Sequence, residues 1–192
     1  SGIYHATPLS RLNASDGMAT PLAHAEYEKM YGILGGKPVH ATLAMHWARL
    51  IELLYASERL LELATDPDIT GKELRSPLPN IPNEGVGIVE AQRGTLTHHY
   101  VTDDKGIVQK VNIIVGTTNN NAAICMSLKK AAQGFIKKGV EVNDGILNMI
   151  EMAFRAYDPC FSCATHSLPG EMPMILNIRE PDGTLIRTLQ RK

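Results

Sequence analysis

The chain has only three cysteines, one tryptophan and 5% aromatic residues in 192 positions. An odd cysteine count with no leader ahead of it argues against a disulfide scaffold and for a reducing compartment. No apolar stretch reaches the roughly eighteen residues that a membrane-spanning helix needs, so none is expected. The opening S-G-I-Y-H-A-T-P-L-S-R-L-N lacks a basic patch followed by an apolar run, and it does not read as a secretory signal. A formal net charge of -1 gives no electrostatic footprint for nucleic acid or a membrane surface. Arg187, Arg191 and Lys192 read as a solvated tail. What is present is ordinary for a globular protein: 44% hydrophobic and 20% charged residues. The length favours a single domain that can bury a core.

Residues 1–36 read as loop-rich, with T-P-L at Thr7 to Leu9 and again at Thr20 to Leu22, an echo too short to be a repeat. A short helix over Ala23 to Tyr31 would end at Gly35-Gly36. The clearest helix is predicted from Ala41 to Ala64. Leu43, Trp47, Leu50, Leu54 and Leu61 form its expected buried stripe, with Glu52, Glu58, Arg59 and Glu62 facing away. Residues 66–87 read as an extended connection. Strands are expected at Gly87 to Ala91, Thr95 to Thr102 and Ile107 to Val115, with R-G and D-D-K-G at the corners. Thr117 to Ala123 reads as a polar loop capping a helix that runs from Ile124 to Lys138. A second helix is predicted over Asn143 to Tyr157, capped by Asn143 or Asp144, with Ile146, Met149, Ile150 and Ala153 inward. M-I-L-N-I-R, E-P-D-G and T-L-I-R-T-L then form a hairpin. The fold class is α+β, mainly helical with a small antiparallel sheet.

The chemistry concentrates in D-P-C-F-S-C-A-T-H, Asp158 to His166. Cys160, Cys163 and His166 bring soft and borderline donors together, suited to zinc, copper, nickel or iron. On spacing alone, a structural zinc half-site, two core cysteines, and a redox or catalytic pair all remain open. Three ligands leave a fourth to come from water, a distant residue or another chain. Asp158-Pro159 makes a rigid approach to the pair, because proline fixes its own backbone and restricts its predecessor. Cys125 reads as a packed small hydrophobe and His46 as a core or partly exposed helix residue. His98 and His99 alternate across a strand and cannot easily share a metal.

The whole string resembles the D-P-C-x-x-C-x-x-H signature of nickel–iron hydrogenase large subunits. The S-C-A-T-H form is most similar to the cytoplasmic methyl-viologen-reducing, deazaflavin-reducing and NAD-linked groups. T-L-A-M-H-W-A-R-L-I-E, G-V-G-I-V-E-A-Q-R-G-T-L and I-I-V-G-T-T-N-N resemble further family segments, so the likeness runs from about Ala6 to Lys192. The resemblance implies roles. Cys160 would be a terminal nickel ligand, and Cys163 would bridge nickel to an iron carrying cyanide and carbon monoxide. His166 and the carbonyl of Ile113 would bind a structural magnesium, and Thr117 would hydrogen-bond a cyanide. Arg93 would stand over the open coordination position. Its alternative is a structural ion pair with Glu90, and Gln92 stands where the family has proline.

The family's amino-terminal R-x-C-G-x-C pair does not occur here. The resemblance therefore covers the carboxy-terminal part of a larger subunit. It implies four partners: a maturation endopeptidase, nickel-insertion factors, the rest of the large subunit, and the iron–sulfur small subunit. The sequence continues past His166 to Lys192, which resembles an unprocessed precursor to be cut between His166 and Ser167. Residues 1–166 would be the subunit's own domain and 167–192 the removable extension, and the isolated chain is expected to hold neither metal. Two rivals are a zinc-binding structural module on Cys160, Cys163 and His166, and a relative of the respiratory complex I core subunit. The cysteines argue against the second.

Overall fold

A computed structural model of the chain describes residues 2–77, 80–165 and 174–191. It comprises two compact units, Ser1–Pro159 and Cys160–Lys192. The division expected at 166/167 lies outside the described residues, as do His166 and Ser167.

The first unit opens with α1 at Pro8–Ala14, where a loop was expected, and α2 at Pro21–Leu34, which contains and extends the helix predicted over Ala23 to Tyr31. The repeated T-P-L is the reason. Each copy puts threonine at the N-cap and proline in the first turn, where proline's missing N–H costs nothing. The Thr7 hydroxyl accepts from the Ser10 amide at 3.3 Å. Helix α2 is capped from a distance instead. Glu58 accepts from the Thr20 hydroxyl at 2.6 Å and from the Leu22 and Ala23 amides at 3.1 and 2.9 Å. Burial works against the Glu58 charge, but those three donors prevail and hold its carboxyl below the usual range. Gly35, at φ 89°, ends α2 as its sequence predicts.

Helix α3 spans Ala44–Thr65 and forms the core with α1 and α2. Its buried face is Ala44, Met45, Ala48 and Ile51, with Trp47 and Leu54 packed beside them. Leu43, Leu50 and Leu61 of the predicted stripe are 59, 62 and 68% exposed. Apolar residues occur all around this helix, so periodicity alone chose the wrong face. The small Ala44 and Ala48 let α1 and α2 approach closely, and that decided it. Glu52 and Glu58 do not face solvent; they bind α1 and cap α2. Leu12, Met30, Met45 and Ile51 are the largest fully buried apolar side chains.

A 3₁₀ turn at Pro67–Thr70 leads to the antiparallel strands β1 (Glu84–Ala91), β2 (Gly94–Thr102) and β3 (Val108–Ile114), paired in that order. Ala91 pairs with Gly94, so Gln92 and Arg93 form a two-residue hairpin tip. Helix α4 covers Gly116–Phe135, absorbing the expected polar loop at Thr117 to Ala123. Its first turns tolerate those polar residues because Asn119 and Asn120 bond elsewhere in the unit. Helix α5 spans Asp144–Arg155, and the Asn143 side chain accepts from the Ile146 amide at 3.1 Å. Ile146 and Leu147 are its buried residues, while Met149 is exposed. Among the described residues no helix is long and apolar enough to cross a membrane.

The second unit holds a short helix α6 (Phe161–Thr165) and the hairpin β4 (Met174–Arg179) and β5 (Leu185–Arg191). The turn between them, with Gly183 at φ 92°, follows the Pro-Asp-Gly signal.

Candidate functional site

The site region of the first unit gathers at the hairpin tip that carries Arg93. Three separate elements hold that tip. Arg11 of α1 donates to the carbonyls of Ala91 at 2.6 Å and Gln92 at 3.3 Å. The same guanidinium binds Glu52 at 2.6 Å and Glu90 at 3.1 Å. Burial disfavours its charge, but Glu52 and then Glu90 outweigh that and raise its pKa. Glu90 therefore belongs to Arg11, and the ion pair with Arg93 considered from the sequence is not formed.

On the other side, Asn120 is 1% exposed and bridges two chain segments. Its Oδ1 accepts from the Ala6 amide at 2.7 Å. Its Nδ2 donates to the Ala6 carbonyl at 2.8 Å and, more weakly, to the Arg93 carbonyl at 3.4 Å. The backbones are in close contact here. A Cβ on Gly94, at φ 134°, would lie 2.2 Å from the Ala6 carbonyl oxygen, and one on Gly116 would lie 2.8 Å from that of Arg93. Only glycine fits either position.

Arg93 itself reaches Asp158. Its Nε donates to the Asp158 carbonyl at 2.8 Å and lies 3.1 Å from the carboxylate. Its Nη nitrogens take no hydrogen bond among the described residues, so the fork is oriented but not consumed. Asp158 sits at φ 50°, a left-handed conformation that a non-glycine residue adopts at a cost of about 1–2 kcal/mol. Tyr157, buried next to it, shares a 2.9 Å hydrogen bond with the Ser127 hydroxyl on α4. Arg49 of α3 donates to the Ala156 carbonyl at 3.0 Å, and its Nε lies 3.9 Å from the Asp158 carboxylate.

Thr117 is buried in the first turn of α4, beside the Gly116 contact with the Arg93 tip. Ile113 lies half-buried in β3, paired with His98. His98 and His99 go to separate partners, Tyr100 at 2.9 Å and Glu84 at 2.7 Å. Two sequence readings are corrected: Cys125 is exposed rather than packed, and His46 is exposed on α3 rather than part of the core. Helical spacing turns both outward.

In the second unit Cys160 and Cys163 are joined as a disulfide, with Cα atoms 5.3 Å apart. A pairing was not expected from the odd cysteine count, which bears on scaffolds and not on a local Cys-x-x-Cys. The geometry puts both sulfurs at one point, as a shared metal requires, and reduction would provide two thiolates there. The donor set fits half of a four-thiolate centre. Among the described residues no group of three or more His, Cys, Asp or Glu side chains could hold a metal ion by itself.

A hairpin-tip arginine is thus tied to the aspartate that opens a D-P-C-x-x-C motif, within an α+β frame. The nickel-dependent hydrogenase family matches residues 8–166, and this chain belongs to it. It is 49% identical to the iron-sulfur subunit of an F420-non-reducing hydrogenase from Archaeoglobus profundus, over 99% of this chain and 39% of that relative. It is 44% identical to the matching subunit of the F420-non-reducing hydrogenase from Methanothermobacter thermautotrophicus, over 98% of this chain and 40% of that relative. It is 41% identical to the beta chain of the NAD-reducing hydrogenase HoxS from Cupriavidus necator, over 93% and 37%. A solved NAD+-reducing NiFe-hydrogenase in the H2-reduced state superposes with a TM-score of 0.80 at 43% identity, covering 86% of this chain and 36% of that one. The chain thus spans about two fifths of the length of the curated relatives it matches and corresponds to a carboxy-terminal portion of the large subunit. The match favours a hydrogenase over the zinc-module alternative.

Four contributors were missed from sequence: Asp158 as the arginine's partner, Asn120, Arg49 and the Arg11–Glu52 pair. Asp158 had a signal, since it opens the motif. The others join residues 27 or more apart and carried none.

Proposed function

We propose that this chain supplies two of the four thiolates of a nickel–iron centre in a hydrogenase large subunit that interconverts dihydrogen with two protons and two electrons. The observation that carries the reading is the convergence of the Cys160 and Cys163 sulfurs immediately after an arginine-bound Asp158, in a chain of this family. When bound, the centre supplies dihydrogen binding and two-electron redox chemistry. The residues of this chain hold and orient. Cys160 and Cys163, both as thiolates, would hold that centre, Cys160 as a ligand of nickel and Cys163 as a ligand of both nickel and iron. Arg93, its Nε engaged by Asp158, presents its Nη groups as a fixed positive edge that orients substrate and excludes bulk water.

The finer assignments belong to the same proposal. The iron carries cyanide and carbon monoxide, and Thr117 hydrogen-bonds a cyanide. His166 and the Ile113 carbonyl bind magnesium. The chain beyond His166 is removed by a maturation endopeptidase at His166–Ser167 after nickel-insertion factors have acted. Electrons pass to an iron–sulfur small subunit, and the protein works in the cytoplasm, as the S-C-A-T-H form suggests.

The test is metal analysis of the whole large subunit, produced with its maturation machinery. Nickel and iron in equal amounts are expected, with nickel lost in Cys160→Ser and Cys163→Ser. Zinc alone at unit stoichiometry would overturn the reading in favour of a structural module.

A further inference from the structure

Asp158 is flanked by two arginines, and the proposed function uses only one of them. Arg49 comes from the second turn of α3, and its neighbours Ala48 and Ile51 are 0 and 2% exposed, so its backbone is fixed in the core. Its side chain reaches across 107 residues of sequence to donate from Nη2 to the Ala156 carbonyl at 3.0 Å. Its Nε is buried, has no hydrogen-bond partner among the described residues, and lies 3.9 Å from the Asp158 carboxylate. A buried guanidinium N–H without a partner is costly. A structural arginine would be expected to satisfy it. Here it is left beside a carboxylate that already takes Arg93 at 3.1 Å.

Both contacts bear on one strained point. Asp158, at φ 50°, precedes a proline that restricts it further. The Ala156 carbonyl that Arg49 grips lies two residues upstream. Arg49 therefore fixes the backbone that delivers Asp158 and, from the other side, the charge on which Arg93 is tethered. A single fork doing both passes the rigidity of the helical core to the hairpin-tip arginine.

We propose that Arg49 is a positioning residue for the hydrogenase reaction, acting on Arg93 through Asp158. The inference rests on the proposed function for its kinetic readout, and its first readout does not need the metal centre.

The experiment uses the whole large subunit with its small subunit, in five forms: wild type, Arg49→Gln, Arg49→Lys, Asp158→Asn and the Arg49→Gln/Asp158→Asn pair. In the metal-free protein, Arg49→Gln is expected to speed hydrogen–deuterium exchange of the Tyr157 and Asp158 amides with the core of α3 unchanged. In the loaded enzyme, kcat per nickel falls at least about tenfold with KM for dihydrogen within about twofold, the signature of misplacement and not of lost binding. Lysine keeps the charge but not the planar fork that serves two sites at once, so its loss is smaller. In the Asp158→Asn background the Arg49→Gln loss shrinks, because the carboxylate part of the route is already cut while the Ala156 and Asp158 carbonyl contacts remain. Unchanged exchange at 157–158, unchanged kcat per nickel, or additive losses in the double variant would each overturn the proposal. If Arg49→Gln takes up no nickel, Arg49→Lys decides: a lowered kcat per nickel supports positioning, and a wild-type value makes Arg49 merely structural. A wild-type enzyme without nickel and iron would sink the functional reading and leave the exchange result to stand by itself.

Discussion

Asn120→Ala tests whether one buried amide holds the Arg93 hairpin to the amino-terminal segment. Asn120 serves both backbone groups of Ala6, which is itself 5% exposed, at 2.7 and 2.8 Å. The third contact, to the Arg93 carbonyl at 3.4 Å, is long and adds little. Truncation strands one N–H and one C=O away from water, at about 1–3 kcal/mol each, for a total of about 2–6 kcal/mol. Asn120→Asp sharpens the test. It keeps an acceptor for the Ala6 amide but turns an oxygen toward the Ala6 and Arg93 carbonyls, so it should cost at least as much as alanine. The assay is urea unfolding of both variants followed by circular dichroism. A loss below about 1 kcal/mol in Asn120→Ala, or an aspartate variant clearly more stable than the alanine one, would refute the reasoning.

Gly94→Ala places a methyl 2.2 Å from the Ala6 carbonyl oxygen at φ 134°, so thermal unfolding should show a loss of more than about 2 kcal/mol, and a smaller one would mean that the tip is loosely seated. Arg11→Met keeps the apolar stem but strands Glu52 and Glu90, which are 21 and 48% exposed; after solvent screening about 2 kcal/mol is expected, partly restored by adding Glu52→Gln. Burial, then Tyr27, raises the Tyr31 phenol from 10.0 to about 12. The folded state favours the neutral phenol, so this stabilisation is complete below pH 10 and is lost as pH rises toward 12; a spectroscopic tyrosinate titration should find one late-titrating tyrosine. Burial, then His40, lowers the His5 pKa below 6.5, which has the opposite sign: its contribution is present above pH 6.5 and is lost on acidification, to be read from unfolding curves on either side of that value.

The sequence by itself determined the elements whose signals are local. Gly35 at the end of α2, Asn143 at the start of α5 and the Pro-Asp-Gly turn each depend on a few adjacent residues, and each forms; the corner read at Arg93-Gly94 forms one residue earlier, at Gln92–Arg93. The motif that assigns the family is local too, since Cys160 and Cys163 need only one helical turn to meet. T-P-L was equally local, a threonine cap and a first-turn proline written twice, and it marked the starts of two helices, the first in a stretch read as loop.

Tertiary structure decided everything that depends on which surfaces meet. Helix α3 has apolar residues on every side, so which side is buried was settled by where Ala44 and Ala48 allow other helices to approach. Glu58 looked solvent-facing until α2 presented its unpaired amides to it. Arg93 was legible as a residue of interest, but its partner was not. Glu90 is three positions away in sequence and is taken by Arg11, while Asp158, 65 residues on, is brought within 3.1 Å. Local sequence can encode a cap, a turn or a pair of ligands because the chain itself holds those atoms together. The partner of a charged side chain is set by packing, which residues far apart in sequence settle jointly.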